Sequence, residues 1–435
     1  MSPALGASIR YAGFYGALFL ALGVYLPFWP VWLGSRGVAP EQIGVLFALG
    51  SWIRVVSTPA IAHVADRVGR PRTVLAVLAG ASALSFAAFY PVAGFWPILL
   101  VSVPTAICLT ALVPLGESET MGAVVRDGLD YGRVRLWGSL AFVVGTVGAG
   151  SLLRGRDPDL ILTLIVLALL ACLVVALTLP RQPPIAIGGR RPRPAAVLAD
   201  RRFVLFLAAT SLLQASHATY YAFSALHWRA AGLTDAVVGW LWGEGVLAEV
   251  AFFAISSRVL ARAGPIGLLV VAGLAGIVRW VVLGATVAVP ALLVVQLLHA
   301  ATFGAAHLGA MHFIARAAPP GLAATAQGLY AAATGGIGLG LALLLAGQLY
   351  GIGPASAYWA MAALSAGGAG LAVVLHWREG SDPGARKPQI CRRSSALLAI
   401  WPSAPPRRPA RGRSGLRPGR AGVPRPTAGP ARRPG

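Results

Sequence analysis

Residues 240–253 read WLWGEGVLAEVAFF and set two carboxylates, Glu244 and Glu249, into a run that is otherwise apolar. The run extends over residues 236–257. That is enough to cross a bilayer, which takes roughly 20 apolar residues because each backbone N–H and C=O must be satisfied inside the segment once water is excluded. The whole chain has the same character. Of its 435 residues 57% are hydrophobic and only 11% charged, against about 25% charged in soluble domains. The reading is an all-α membrane protein, and the two glutamates are then its most informative residues.

By the same ruler twelve transmembrane spans are predicted, near residues 9–33, 41–62, 73–94, 97–116, 135–153, 160–180, 203–228, 236–257, 266–289, 290–314, 322–349 and 355–377. The first is too long for the apolar core of a signal peptide, which runs roughly 7 to 15 residues, and is read as a retained helix. Twelve spans put both termini on one side. Fifteen arginines fall in loops on that side, among them Arg67, Arg70, Arg133, Arg201 and Arg258; four, Arg36, Arg154, Arg156 and Arg229, fall on the other. Positive charge gathers in the cytoplasm, so both termini are expected there, in a bacterial cytoplasmic membrane.

The net charge of +22 would suggest nucleic acid, but residues 377–435 carry 14 Lys+Arg and 2 Asp+Glu and so supply +12 of it. This Arg/Pro-rich tail, 378–435, has the composition of a disordered segment. Its arginines could meet anionic lipid headgroups; a dispensable extension is the favoured alternative, because no motif recurs in it. No nucleic-acid partner is expected. Cys108, Cys172 and Cys391 form neither a disulfide framework nor a paired metal site.

Residues 179–201 break the apolar pattern with Pro, Gly and Arg, which separates a six-helix bundle over 1–178 from a second over 202–377. A shift of 195 residues supports this division. It aligns Tyr25 with Tyr220, Phe28 with Phe223, Gly37 with Gly232, Gly44 with Gly239, Leu46 with Leu241, Gly50 with Gly245, Val55 with Val250, Val64 with Val259, Arg67 with Arg262 and Gly69 with Gly264, ten identities over 45 positions. Two pseudo-symmetric halves with a site between them near midplane describe a secondary-transporter plan.

At AHVADRVGRPR, residues 62–72, the chain resembles the major facilitator superfamily signature between helices two and three. Asp66, Arg67, Gly69, Arg70 and Arg72 fit it; Ala62 stands in place of its first Gly and Pro71 interrupts its basic run. The resemblance implies a gating role for Asp66, Arg67 and Arg70, with Asp66 pairing with a cation in one state of the transport cycle and losing it in the other. LPFWPVWL (26–33), YGRVRLWGSLAF (131–142), WLWGEGVLAE (240–249), QLLHAATFGAAH (296–307) and TAQGLY (325–330) are similar to the phenylpropionate permease branch, which is related to the sugar and nucleoside proton symporters. That branch implies uptake by proton symport.

Charges at membrane depth cost about 2.5–3.5 kcal/mol each on insertion scales and so tend to mark transport pathways. Glu249 is the expected proton carrier, since the 195-residue shift lays it on Arg54 and places opposite charges at matching depths. Glu244, His307 and His299 are further candidates for proton coupling. A static Glu–Arg pair is the plainer alternative. Arg279 has no acid in its own span and needs a partner, either a glutamate of the preceding span or an anionic substrate. Glu117 and Arg135, with Glu119 and Arg133 nearby, suit gating at the cytoplasmic rim. An acid on span four, Arg on five, Glu on eight, Arg on nine and His on ten is similar to the galactoside–proton symporter layout; the Asp which that layout buries in span seven is missing, which speaks against a sugar.

Arg54, Arg279, Tyr25, Trp29, His217, Tyr220 and Gln296 are the expected substrate contacts, the aromatics for a planar ring and the arginines for a carboxylate. His299 and His307 lie about 80° and 12 Å apart on a helix, so both can border one cavity. Three or four converging ligands would be needed for a metal, and none is expected, nor any cofactor. The expected function is proton-coupled import, by a single copy of the chain, of a small organic solute, with an aromatic acid or its neutral analogue as the favoured class. A proton-driven drug exporter and a non-transporting assembly factor remain as alternatives, and no nucleophile with a base points to an enzyme.

Overall fold

The computed structural model describes residues 3–180, 194–319 and 321–380. The linker core and the tail predicted from composition lie outside these residues. Among those described, every regular element is helical.

In the first half of the chain the helices are α1 (Pro3–Ser35), α2 (Pro40–Val68), α3 (Pro71–Ala87), α4 (Phe95–Asp127), α5 (Tyr131–Leu153) and α6 (Asp159–Thr178). Local chemistry sets their ends. Pro40 and Pro71 open α2 and α3, where a missing amide costs nothing. The Asp130 side chain accepts from the Arg133 amide at the start of α5. Gly69 and Gly128 close α2 and α4 at φ 63° and 67°, a region that disfavours other residues. Helix α4 runs past the expected end at residue 116, so Glu117 and Glu119 lie within it rather than at its terminus.

The second half is more broken. A short α7 (Pro194–Leu198) precedes α8 (Arg201–Ala215) and α9 (Ala218–Ala230), which share one predicted span but are separated at Ser216 and His217. α10 (Asp235–Ala285) is two helices joined across Gly264, whose φ of 66° is not helical. Then follow α11 (Val289–Gln296), a π-helical segment Ala300–Ala305, α12 (Ala306–Ala317), α13 (Ala323–Ala331), a second π segment Ala332–Gly338, α14 (Leu339–Ile352) and α15 (Pro354–Gly380). Among the described residues nine helices are long and apolar enough to cross a membrane. The difference from twelve has three sources: α3 has 17 residues, α8 and α9 are split, and α10 counts once.

The 195-residue register persists in the backbone. α2 begins at Pro40 and ends before Gly69; α10 begins at Asp235 and breaks at Gly264, and both glycines have positive φ. The loops before them turn at Gly37 and Gly232, at φ 77° and 87°.

α1 packs on α5 and α6, α3 on α4 and α6, α8 and α10 on α15. The two most extensive crossings that join the first half of the chain to the second are α2 against α14 and α5 against α10. Both rely on glycine. A Cβ on Gly44 would stand 2.6 Å from the Leu343 carbonyl oxygen, and one on Gly239 would strike the Thr146 carbonyl. The two glycines are partners in the 195-residue repeat. Small residues let backbones approach where lipid provides no hydrophobic drive, so close packing has to hold the helices.

Candidate functional site

Arg279, on the second part of α10, is wholly buried, so each donor on its guanidinium needs an acceptor inside the protein. The helix opposite supplies three, all to the two Nη atoms, while Nε stays buried without a hydrogen-bond partner. Nη2 donates to Gln296 Oε1 at 3.0 Å, and Nη1 donates to Thr302 Oγ1 at 2.9 Å and to His299 Nδ1 at 3.1 Å. Residues 296, 299 and 302 are spaced by three, which an α-helix would fan around its axis. Here the Ala300 amide bonds the Leu297 carbonyl and the Ala301 amide the Leu298 carbonyl. This tight 3₁₀-like turn brings residues three apart toward one line, and the π segment Ala300–Ala305 follows it.

Rings enclose the cation. Arg279 lies 4.6 Å from the Tyr220 ring centroid and 4.7 Å from that of Trp280, cation–π distances. Tyr220 stacks on Trp242 at 4.5 Å, and its hydroxyl accepts from Gln296 Nε2 at 3.0 Å. Gln296 Nε2 also donates to the Leu241 carbonyl. Trp280 Nε1 is shared between Ser216 and Ser365, each at 3.1 Å. His217, beside the α8–α9 break, sets its ring edge-on to Trp280 at 5.1 Å and receives no partner at Nε2.

Among the described residues no carboxylate pairs with Arg279 directly. The nearest link runs through His299, whose Nε2 lies 3.6 Å from Glu249 Oε2. Arg279 can only donate, so His299 Nδ1 must be the acceptor and its ring proton sits on Nε2, toward Glu249. Arg279, His299 and Glu249 thus form a chain of cation, neutral imidazole and acid.

The other expected residues divide into groups. His217, Tyr220, Gln296, His299 and Glu249 all join the Arg279 cluster. Arg54, on α2, donates to the Gly335 carbonyl at 2.5 Å. Glu244 keeps one buried carboxylate oxygen without a partner. His307 is exposed and lies parallel to Phe303, which in turn stacks on His299 at 5.5 Å. Tyr25 and Trp29 make their ring contacts elsewhere: Trp29 stacks on Trp32 at 4.8 Å, and Phe86 packs edge-on against both Tyr25 and Trp29.

Of the gating set, Glu117 stands 3.8 Å from Arg135, whose guanidinium lies 4.1 Å over the Phe19 ring. Asp66, Arg67 and Arg70 are exposed at the end of α2 and the turn beyond it. Among the described residues none of their side chains has an ion-pair partner. The described residues contain no cluster of three metal-ligating side chains. Sequence reasoning passed over Thr302, Trp242 and Trp280. Thr302 could have been found three residues after His299, whereas the others announce themselves only once α9 and α10 are brought together.

A bundle of apolar helices that buries a guanidinium, hydrogen-bonds it to an imidazole and sets a carboxylate 3.6 Å beyond that ring is arranged like the core of a transporter. The chain belongs to the MFS_1 like family, which matches residues 8–361, within the major facilitator superfamily of transporters. It is 36% identical over 351 residues to the probable 3-phenylpropionic acid transporter of Escherichia coli strain K12, covering 80% of this chain and 92% of that one. It is 29% identical over 342 residues to the maltose permease of Geobacillus stearothermophilus, covering 77% and 86%. Its fold resembles the crystal structure of the nucleoside transporter NupG, with a TM-score of 0.74 at 14% identity over 85% of this chain and 98% of that one. The human organic anion transporter MFSD10 gives 0.57 at 18% identity, over 86% and 100%. These relatives are transporters and not enzymes.

Proposed function

We propose that the protein is a proton-coupled symporter that imports a small aromatic carboxylate by alternating access. The observation that carries this reading is the Arg279–His299–Glu249 chain, which runs from a wholly buried guanidinium to a partly exposed carboxylate. With Nδ1 held by Arg279, His299 has no free site for an extra proton, so the proton that enters and leaves belongs to Glu249. A protonated Glu249 no longer balances the charge of Arg279 across the imidazole, and an incoming carboxylate restores the balance. Solute and proton then need each other to occupy a low-dielectric site together, as symport requires. The identity to a probable 3-phenylpropionic acid transporter and the aromatic box of Tyr220, Trp242 and Trp280 support a ring bearing a carboxylate.

The architecture that serves this cycle is twelve crossings in two pseudo-symmetric six-helix halves, residues 1–178 and 202–377, joined by the linker 179–201. Counting α10 as two crossings, α8 with α9 as one, and α3 as one gives the twelve. Gly44 and Gly239, related by the repeat and each pressed on a carbonyl of the opposite half, support the symmetry. Both termini lie in the cytoplasm, with the protein in the bacterial inner membrane. A single copy suffices, because the site lies within one chain.

Purified protein in proteoliposomes with an inward proton gradient should accumulate radiolabelled 3-phenylpropionate, and accumulation should collapse with a protonophore. Gradient-driven uptake of maltose or a nucleoside, with none of any aromatic acid, would sink the substrate reading.

A further inference from the structure

Arg279 cannot be the first contact of a carboxylate in this conformation, since it is wholly buried and three protein acceptors already hold it. Arg54 differs on both counts. It is exposed, and a guanidinium exposed at membrane depth borders water rather than lipid, because lipid exposure is costly. Its hydrogen-bond partner is a neutral carbonyl, that of Gly335 at 2.5 Å, and among the described residues no carboxylate pairs with it.

That carbonyl is available for a local reason. In an α-helix the Leu339 amide would donate to Gly335 O, but in the π segment Ala332–Gly338 it donates to Thr334 O and Gly336 O instead. Gly335 O is released from that bond, and the guanidinium arriving from α2 takes it. The surface allows the approach: a Cβ at Gly335 would collide with Arg54 Nη2, and one at Gly336 with Val55.

We infer that Arg54 is the residue that receives the substrate carboxylate, and that the Gly335 carbonyl is its placeholder in the unloaded protein. A carboxylate offers a charge-assisted bond in place of a neutral one, so it displaces the carbonyl. Once released, Gly335 O regains an acceptor's claim on the Leu339 amide, and the π turn can revert toward α register. Reversion rotates the small-residue face at 335–340 against Trp52, Arg54 and Val55, so that loading the site alters the α2–α14 crossing. Arg54 is thus the outer arginine that reads the carboxylate, and Arg279 the inner one that holds the proton relay.

The inference rests on the carboxylate reading above, and its test separates the two. Binding of 3-phenylpropionate, benzoate and hexanoate is compared with binding of their neutral amides, using purified parent, Arg54→Gln, Arg54→Lys and Gly335→Ala proteins. Parent protein should prefer acid to amide by roughly tenfold or more, as expected for one charge-assisted hydrogen bond. Arg54→Gln should lose that preference while still binding the amides, and Arg54→Lys should retain part of it. Gly335→Ala, which fills the seat of the guanidinium and leaves the charge, removes the placeholder and should raise the preference for acid over amide above the parent's. Arg54→Gln that still prefers the acids as strongly as the parent overturns the assignment. A parent that prefers no acid to its amide overturns the carboxylate reading itself.

Discussion

The Glu249 carboxylate lies 3.6 Å from His299 Nε2, on the side of the ring opposite the Arg279 contact. Glu249 is therefore joined to the buried cation through an imidazole instead of a direct salt bridge, which leaves the acid free to change protonation without unseating the arginine. Direct pairing would oppose that freedom, since breaking a buried ion pair costs roughly 3–5 kcal/mol.

Glu249→Gln keeps the shape of the side chain and removes its proton. It should abolish accumulation against a gradient yet preserve exchange of labelled for unlabelled 3-phenylpropionate across equilibrated vesicles, because exchange reorients the loaded site without net proton release. Accumulation by Glu249→Gln with the parent's dependence on external pH would remove Glu249 as the carrier. Glu244→Gln should be milder, since no ion pair in the described structure involves Glu244.

Arg279→Lys retains the charge but cannot reproduce the fork that reaches Gln296, Thr302 and His299 at once. Interhelical hydrogen bonds in membranes are worth about 0.6 kcal/mol on average and up to about 1.7. Losing two of the three should cost on the order of 1–3 kcal/mol, visible as a lower unfolding temperature in detergent. Unchanged stability would mean that these bonds contribute little.

Much of this was legible in the residues. Hydropathy alone locates α1 to α6, and the identities at Gly37, Gly44 and Gly69 anticipate backbone features that return at Gly232, Gly239 and Gly264. Glu249, Arg279, His299 and Gln296 stand out because charged and amide side chains are conspicuous in apolar runs. The break at Ser216 and His217 was hidden, because neither residue forbids a helix; their hydrogen bonds to Leu213 and the demand of Trp280 for an acceptor are tertiary matters. The π turns were hidden for the same reason, since the groups that use them, Arg279 and Arg54, come from other helices. Where Tyr25 and Trp29 pack was not legible, because an aromatic facing a cavity and one packed on Phe86 look alike in sequence.

A reporter fused after residue 376 should be active on the cytoplasmic side, and deleting residues 381–435 should leave transport intact. The tail lies outside both the family match, which ends at residue 361, and the 195-residue repeat. Periplasmic activity of the reporter would break the twelve-crossing count. Loss of transport by a truncated protein that still inserts normally would give the tail a function.

The α5–α10 crossing offers a test of alternating access that leaves the proton chain untouched. Gly239 presses on the Thr146 carbonyl and Gly150 on that of Asp235, so in this conformation the helices meet at the end where α10 begins, the periplasmic end in the proposed topology. Gly239→Leu cannot fit that contact. Overpacking a tight interface costs typically 1–3 kcal/mol, and because the cost falls only on the closed arrangement it should shift the population toward the open one by roughly 5- to 150-fold. Ala149, buried on α5 beside this contact, reports the shift when replaced by cysteine. Ala149→Cys should resist a membrane-impermeant thiol reagent added from the periplasmic side, and should label readily once Gly239→Leu is added, with uptake lost and binding of 3-phenylpropionate retained. Equal labelling in both backgrounds, or normal uptake by Gly239→Leu, would show that this crossing does not separate in the transport cycle.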